Sequence, residues 1–220
     1  MSLQLADQTY IQINYDRNYS FIDKIGSIID QFIKNNSDLK TDYNTHLNNQ
    51  ICETLFESSK QNLAKIKFNT DSIWFEVKKD FNDDLKSKIL DNTKLLCNSL
   101  GIQQVIRIGL RKAYIYKFKD IFEYNNFYPR LFPKLEDVET GQFNIVVAPK
   151  NKDFKCLISI ASVVNPNTQE YTTLIDVDCY KEGDIAIKEI DKCIDQMHRF
   201  LTSDQQLKSK IKKEILANND

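Results

Sequence analysis

The sequence predicts an α+β protein in which a mostly antiparallel sheet carries amphipathic helices packed on one face. Two observations lead to this fold class. Several stretches alternate apolar and polar residues with a period of two, and others repeat apolar residues at spacings of three and four. A similar order of elements in residues 1–101 and 102–220 predicts two related halves, with one continuous domain as the alternative.

The period-two stretches are typical of half-buried strands. In the first, Ile11, Ile13 and Tyr15 share one face. Turn-rich segments such as Asn69-Thr70-Asp71-Ser72 separate several of these stretches. The predicted strands are residues 10–15, 51–57, 64–68, 73–78, 102–119, 142–148, 154–164 and 171–180.

The helical stretches carry their own start and stop signals. Ser20 with Asp23 predicts a capping box, Asn82 or Asp83 predicts a second cap, and Gly101 predicts a left-handed helix end. The predicted helices are residues 20–34, 83–100 and 184–201, followed by a basic helix from Ser203 that contains Lys208, Lys210, Lys212 and Lys213. Residues 38–50 and 121–135 are predicted to be irregular connectors, the second because it contains Pro129 and Pro133.

Composition excludes several classes of protein. The chain has 220 residues, a formal net charge of -1 and 41% hydrophobic residues, with five Gly and four Pro. It is too apolar to be disordered and lacks a membrane-length apolar run. A near-neutral charge gives no long-range attraction for nucleic acid. These features predict a soluble, cytoplasmic protein without a membrane partner.

The five cysteines, an odd number without a CxxC pair, lie in apolar or periodic segments. This pattern favours buried free thiols over disulfides or a zinc site. The cysteines are Cys52, Cys97, Cys156, Cys179 and Cys193.

Asp176 and Asp178 form the one carboxylate pair that suggests chemistry. Residues at i and i+2 of a strand point the same way, so both can face one Mg²⁺ ion for phosphoryl transfer. Alternation alone also produces this pattern, with Ile175, Val177 and Cys179 packed inward. Because alternation alone accounts for the pair, and the chain has no glycine-rich phosphate loop, we favour the interpretation in which both carboxylates face solvent and no cofactor is bound.

A second candidate is the strand that ends at Lys119. It carries Arg107, Arg111, Lys117 and Lys119 near Tyr114, Tyr116 and Phe118, and a basic sheet with aromatics can bind single-stranded nucleic acid. The aromatics have the opposite parity from these four basic residues, unless Gly109 shifts the register, and this favours a place for them in the core. Neither histidine, His46 nor His198, has a catalytic or metal-ligand spacing.

Two segments resemble a sporadically distributed family of bacterial proteins of unknown function. The first is Arg107-Ile108-Gly109-Leu110-Arg111, and the second is Leu174-Ile175-Asp176-Val177-Asp178-Cys179-Tyr180 followed by a helix that ends in Met197-His198. The resemblance implies an α+β fold from a bacterium or its mobile elements and brings no established activity. It singles out Arg107, Arg111, Asp176, Asp178 and His198 without giving them roles.

These observations predict a protein that acts by binding, as a protein-interaction or oligomerising module linked to mobile elements or defence. A protein partner or a second copy of the chain is the expected ligand. Two alternatives remain open: a Mg²⁺-dependent phosphoryl-transfer enzyme that uses Asp176 and Asp178, and a nucleic-acid-binding protein that uses the Arg107–Lys119 strand.

Overall fold

The computed structural model describes residues 3–36, 42–48, 51–57, 63–78, 81–131, 142–150, 152–165 and 170–202. These residues form an α+β fold with antiparallel strand pairing, as predicted. The strands are β1 (Leu3–Asn14), β2 (Asp42–Asn48), β3 (Ile51–Glu57), β4 (Leu63–Phe68), β5 (Ser72–Lys78), β6 (Gln104–Lys117), β7 (Gln142–Val147), β8 (Lys155–Asn165) and β9 (Glu170–Ala186). The helices are α1 (Ser20–Asn35), α2 (Asp83–Leu100), α3 (Ile121–Leu131) and α4 (Ile190–Thr202), with a 3-10 turn at Ile187–Glu189.

The chain divides into two compact units, each assembled from separate segments. The larger unit contains Asp7–Leu110 and Tyr180–Gln196, and the smaller contains Met1–Ala6, Arg111–Cys179 and Met197–Asp220. In the larger unit the hydrogen-bonded strand order is β2-β3-β4-β5-β1-β6-β9, and in the smaller it is β6-β9-β8-β7. These units are a different division from the predicted halves 1–101 and 102–220, which stay a prediction.

The core of the larger unit lies between α1, α2 and one face of the sheet. Four phenylalanines form its aromatic centre: Phe32 of α1 lies 4.8 Å from Phe68 and 5.8 Å from Phe56 between ring centroids, and Phe21 meets Phe68 edge-on at 5.7 Å. Alternate residues of β1 and β5 form the sheet side of this core. Ile11, Ile13, Ile73, Phe75 and Val77 are all fully buried.

The smaller unit has a second cluster of rings. Tyr124 and Phe127 of α3 lie 5.3 and 5.2 Å from Phe118, and Phe154 meets Phe200 of α4 at 5.6 Å. The hydroxyl of buried Tyr114 donates to the backbone carbonyl of Leu201 near the end of α4. Burial raises the pKa of this phenol, so it stays a hydrogen-bond donor.

Helix-end signals are mostly confirmed. Asn82 caps α2 by accepting a hydrogen bond from Leu85 N at 3.0 Å, and Gly101 ends it at a φ of 71°. The Ser20–Asp23 capping box is wrong. Asn18 Oδ1 accepts from Ser20 N at 3.0 Å and from Ser20 Oγ at 2.6 Å instead, so the side chain that opens α1 lies two residues earlier.

Two predicted connectors and the start of one predicted helix are wrong. Residues 42–48 form strand β2, because each of them pairs with β3 from Asp42↔Glu57 to Asn48↔Ile51. Residues 121–131 form helix α3, whose start Asp120 stabilises by accepting from Glu123 N at 2.8 Å. The last described helix begins at Ile190 and not at Asp184, since β9 continues to Ala186. The predicted helix from Ser203 lies outside the described residues.

The prediction that all five cysteines are free is also wrong. Cys156 of β8 and Cys179 of β9 form a disulfide with Cα atoms 4.0 Å apart. Neighbouring strands bring the two residues together, and a sequence separation of 23 residues conceals this contact from local pattern. Cys97 and Cys193 are buried thiols outside this disulfide.

Candidate functional site

The predicted basic strand places its side chains in different surroundings. Lys117 and Lys119 are exposed, whereas Arg107 is half-buried, and its guanidinium lies 5.1 Å from the centre of the Tyr180 ring. This distance is within the range of a cation–π contact. On the same strand Ile106 is 36% exposed, whereas Ile108 and Leu110 are fully buried.

Arg111 is engaged by a carboxylate. Its Nε donates to Asp176 Oδ1 at 2.8 Å, and its Nη2 lies 2.7 Å from Asp176 Oδ2. This is a two-point guanidinium–carboxylate pair, and it uses both oxygens of Asp176. The contact therefore engages both Arg111, which the sequence suggests for phosphate binding, and Asp176, which the sequence suggests for metal binding.

The carboxylate pair lies as strand alternation predicts. Asp176 and Asp178 are half-buried, whereas Ile175, Val177 and Cys179 between and beside them are fully buried. Within the described ranges no group of three His, Cys, Asp or Glu residues is close enough to hold a metal ion. The Mg²⁺ alternative at these residues stays a prediction that Arg111 makes less favourable, because the guanidinium would have to leave before a cation could bind.

The aromatic residues of β6 belong to the core, as their parity predicts. Tyr114, Tyr116 and Phe118 are 0%, 3% and 9% exposed. His198 is half-buried on α4, where its backbone carbonyl accepts from Thr202 Oγ1 at 2.7 Å. His46 lies in β2 opposite Glu53.

A different surface combines aromatic, basic and amide side chains. It lies in the larger unit, on the face of β1, β4 and β5 opposite the one that packs against α1 and α2. The rings of Tyr10 and Trp74 stack there, with centroids 5.3 Å apart and planes 24° apart. We call this surface the open-face patch; it comprises Gln8, Tyr10, Gln12, Lys65, Lys67, Trp74, Glu76 and Lys78.

Strand register explains how these residues meet. Tyr10 lies opposite Glu76, and Gln12 opposite Trp74, across the β1–β5 pair. On the other side of β5, Lys65 lies opposite Glu76 and Lys67 opposite Trp74. Each row therefore runs lysine, central β5 residue, β1 residue, with cross-strand neighbours close enough for side-chain contact.

The open-face patch is partly accessible to solvent. Tyr10, Trp74, Lys65 and Lys67 are half-buried, while Gln8 is exposed. Glu76 is the exception, with only 7% of its surface exposed. Sequence reasoning placed Trp74 in a strand but missed the patch. The alternation of Gln8, Tyr10 and Gln12 was the available signal, yet nothing local brings Tyr10 to Trp74.

A groove of about 580 Å³ lies over the contact between α1 and α2. Its wall is mostly amide and charged, and at its base the side chains of Asn36 and Asn92 bond to each other. The lining residues are Gln31, Asn35, Asn36, Lys88, Asp91, Asn92, Lys94, Leu95, Asn98 and Ser99. The buried amides are satisfied within the protein, so the groove presents few buried groups that need a ligand.

Inside the larger unit, Lys86 of α2 forms a charge cluster with two aspartates of α4. Lys86 Nζ lies 2.9 Å from Asp195 Oδ1 and 3.2 Å from Asp191 Oδ1. The hydrogen bond to Asp195, followed by the one to Asp191, raises the pKa of the Lys86 ammonium above its usual range against an opposing effect of desolvation. The cluster stabilises a helix pair and does not resemble an active-site lysine, whose pKa is lowered.

The sequence matches no protein-family model, and no curated protein resembles it closely enough to indicate a relationship. The resemblance to the sporadic bacterial family therefore stays a prediction. No described helix is long and apolar enough to cross a lipid bilayer.

Proposed function

We propose that the chain is a binding protein whose ligand is single-stranded nucleic acid and whose binding surface is the open-face patch. The observation that carries the proposal is the stacked Tyr10–Trp74 pair, which lies beside the lysine row of β4 on the sheet face opposite α1 and α2. Aromatic rings on a sheet stack unpaired bases, and nearby lysines contact phosphates.

The open-face patch is better suited to nucleic-acid binding than the Arg107–Lys119 strand that the sequence analysis considered. On that strand Arg111 is held by Asp176, and the aromatic rings point into the core. The open-face patch instead has its aromatic and basic side chains on one face. The net charge of -1 means that attraction must be local, because the whole chain has no strong positive field.

Fluorescence titration with a short oligothymidylate tests the proposal directly. Trp74 is the one tryptophan of the chain, so a base stacked on the patch changes the only indole signal. We expect quenching on titration. We also expect the logarithm of the association constant to fall linearly with the logarithm of salt concentration, with a slope of about -2 for three lysine contacts.

Substitution separates the patch from unspecific binding. Trp74→Ala should weaken binding, measured by anisotropy of a labelled strand, by about tenfold or more, since one base stack contributes roughly 1–3 kcal/mol. Tyr19→Ala is the matched control, because Tyr19 is an aromatic residue at the start of α1 that is 65% exposed and lies outside the open-face patch. An unchanged affinity in Trp74→Ala, or no binding by the wild-type chain, contradicts the proposal.

Self-association is a second candidate. Ile121 and Phe122, adjacent at the start of α3, are 52% and 75% exposed, and exposed apolar pairs favour protein contacts. We expect a dimer in light scattering and a monomer for Phe122→Ser at the same concentration. A wild-type monomer across the micromolar range contradicts this candidate and the predicted homodimer.

A further inference from the structure

Glu76 is an unusual residue for a basic and aromatic surface. It lies in the middle of the open-face patch, between Lys65 on β4 and Tyr10 on β1, and is only 7% exposed. Burial of a carboxylate is unfavourable unless its oxygens accept hydrogen bonds. A negative charge at this position also opposes phosphate binding. Contacts to the sugar-phosphate backbone of a nucleic acid therefore do not explain why a glutamate lies here.

The hydrogen bonding of Glu76 leaves acceptor capacity within the described part of the chain. Gln8 Nε2 donates to Oε1 over a long distance of 3.4 Å. Lys65 of β4 lies opposite Glu76 in register. An ionised carboxylate accepts up to about four hydrogen bonds, so Glu76 has room for a ligand with N–H donors.

Nucleobases differ in the hydrogen-bond donors that they present to a carboxylate. The Watson–Crick edge of guanine has two adjacent donors, N1–H and the N2 amino group, which match two carboxylate oxygens. Adenine and cytosine pair an amino donor with a ring nitrogen acceptor, and thymine flanks its one N–H with carbonyls. A bidentate carboxylate therefore favours guanine, and burial strengthens this charge-assisted contact.

The register places this acceptor beside the stacking surface. Glu76 and Trp74 are two residues apart on β5 and share a face, which separates their Cα atoms by about 7 Å. Glu76 also lies directly opposite Tyr10, the second ring of the stack. A base stacked on this pair would have its edge near the carboxylate.

We propose that Glu76 accepts hydrogen bonds from N1–H and the N2 amino group of a guanine stacked on the Tyr10–Trp74 pair, so that the chain prefers single strands containing guanine. This inference rests on the proposed function. It assigns the patch a substrate preference that stacking and phosphate contacts do not supply, because every base has a π face and every nucleotide a phosphate.

The test compares oligothymidylate with the same strand carrying one central guanine, adenine, cytosine or inosine. Inosine lacks only the N2 amino group of guanine. Anisotropy competition should show guanine binding about tenfold tighter than thymine, adenine or cytosine, with inosine between guanine and thymine. Glu76→Gln should abolish the preference while retaining binding to oligothymidylate. Asp91→Asn, an exposed carboxylate on α2, is the control and should keep the preference.

The outcomes distinguish the inference from the proposed function. Equal affinity of the wild-type chain for guanine and thymine strands overturns the inference and leaves the proposed function standing. A guanine preference that persists in Glu76→Gln overturns the role of Glu76. Absence of binding to every strand overturns both. The inosine comparison uses the wild-type chain, so equal affinity for the inosine and guanine strands overturns the two-donor contact even if Glu76→Gln does not fold.

Discussion

The side chains of Asn36 and Asn92 form a reciprocal amide pair between α1 and α2. Nδ2 of Asn36 donates to Oδ1 of Asn92 at 2.8 Å, and Nδ2 of Asn92 donates to Oδ1 of Asn36 at 3.1 Å. Asn36 donates its second Nδ2 proton to the backbone carbonyl of Phe32, and Asn92 donates its second Nδ2 proton to the backbone carbonyl of Lys88. All four amide protons are therefore used, although the two residues are 5% and 3% exposed.

Asn36→Ala and Asn92→Ala should each lower the free energy of unfolding by about 1–3 kcal/mol, because each leaves the remaining buried amide without its side-chain hydrogen-bond partner. The double variant should lose less than the sum of the two single losses. Urea denaturation measures all three, with the exposed Asn98→Ala on α2 as the control. Strictly additive losses would show that the two amides do not depend on each other.

Lys86→Met should lower stability at neutral pH by about 1 kcal/mol, because the partly exposed ammonium loses its contacts to Asp195 and Asp191. The pKa of Lys86 is raised in the folded state above the ordinary 10.5. The stability that it adds is therefore fully present below pH 10 and lost as pH rises through the folded-state pKa.

The measurement is the stability difference between wild-type and Lys86→Met as a function of pH. Lys94→Met, an exposed lysine on the same helix, supplies the control curve. A difference that stays constant through the alkaline range would argue against the charge cluster.

Reduction of the Cys156–Cys179 disulfide should destabilise the chain by about 3 kcal/mol, given the 23-residue separation that it closes. The melting temperature should fall when reductant is added to the wild-type chain. A Cys156→Ala/Cys179→Ala variant should melt at the same temperature with and without reductant. Peptide mapping after alkylation of the unreduced, unfolded chain should find Cys97 labelled and Cys156 unlabelled; labelling of Cys156 in that experiment would refute the bond.

Gly101→Ala should cost about 1 kcal/mol, because the φ of 71° at the end of α2 disfavours a residue with a Cβ atom. No atom lies within 4 Å of the added Cβ, so the loss comes from backbone strain alone. Gly26→Ala has equal space in the interior of α1 and should instead stabilise by roughly 0.5–1 kcal/mol. Thermal melts that give both variants the same sign would refute this account.

Local pattern predicted most of the fold. Alternation located β5 and correctly turned Asp176 and Asp178 away from the core, since a period of two is a direct consequence of strand geometry. Asn82 and Gly101 marked the ends of α2 because capping depends on one residue and its immediate neighbours.

Contacts between distant residues were beyond this reasoning. The polar residues of β2 form a strand because β3 pairs with them, and no residue within the segment signals that partner. Likewise Cys156 and Cys179, or Tyr10 and Trp74, come together through strand order and register. Candidate site residues were therefore sought along single strands, whereas the open-face patch is distributed over three.

Neither compact unit is a continuous stretch of the chain, and this affects synthesis on the ribosome. The larger unit needs Tyr180–Gln196 to join Asp7–Leu110. A nascent chain that has emerged only as far as β6 still lacks part of this unit, so its packing must wait until α4 has been translated. Such late closure slows folding and prolongs exposure of apolar strands, which favours assistance from chaperones.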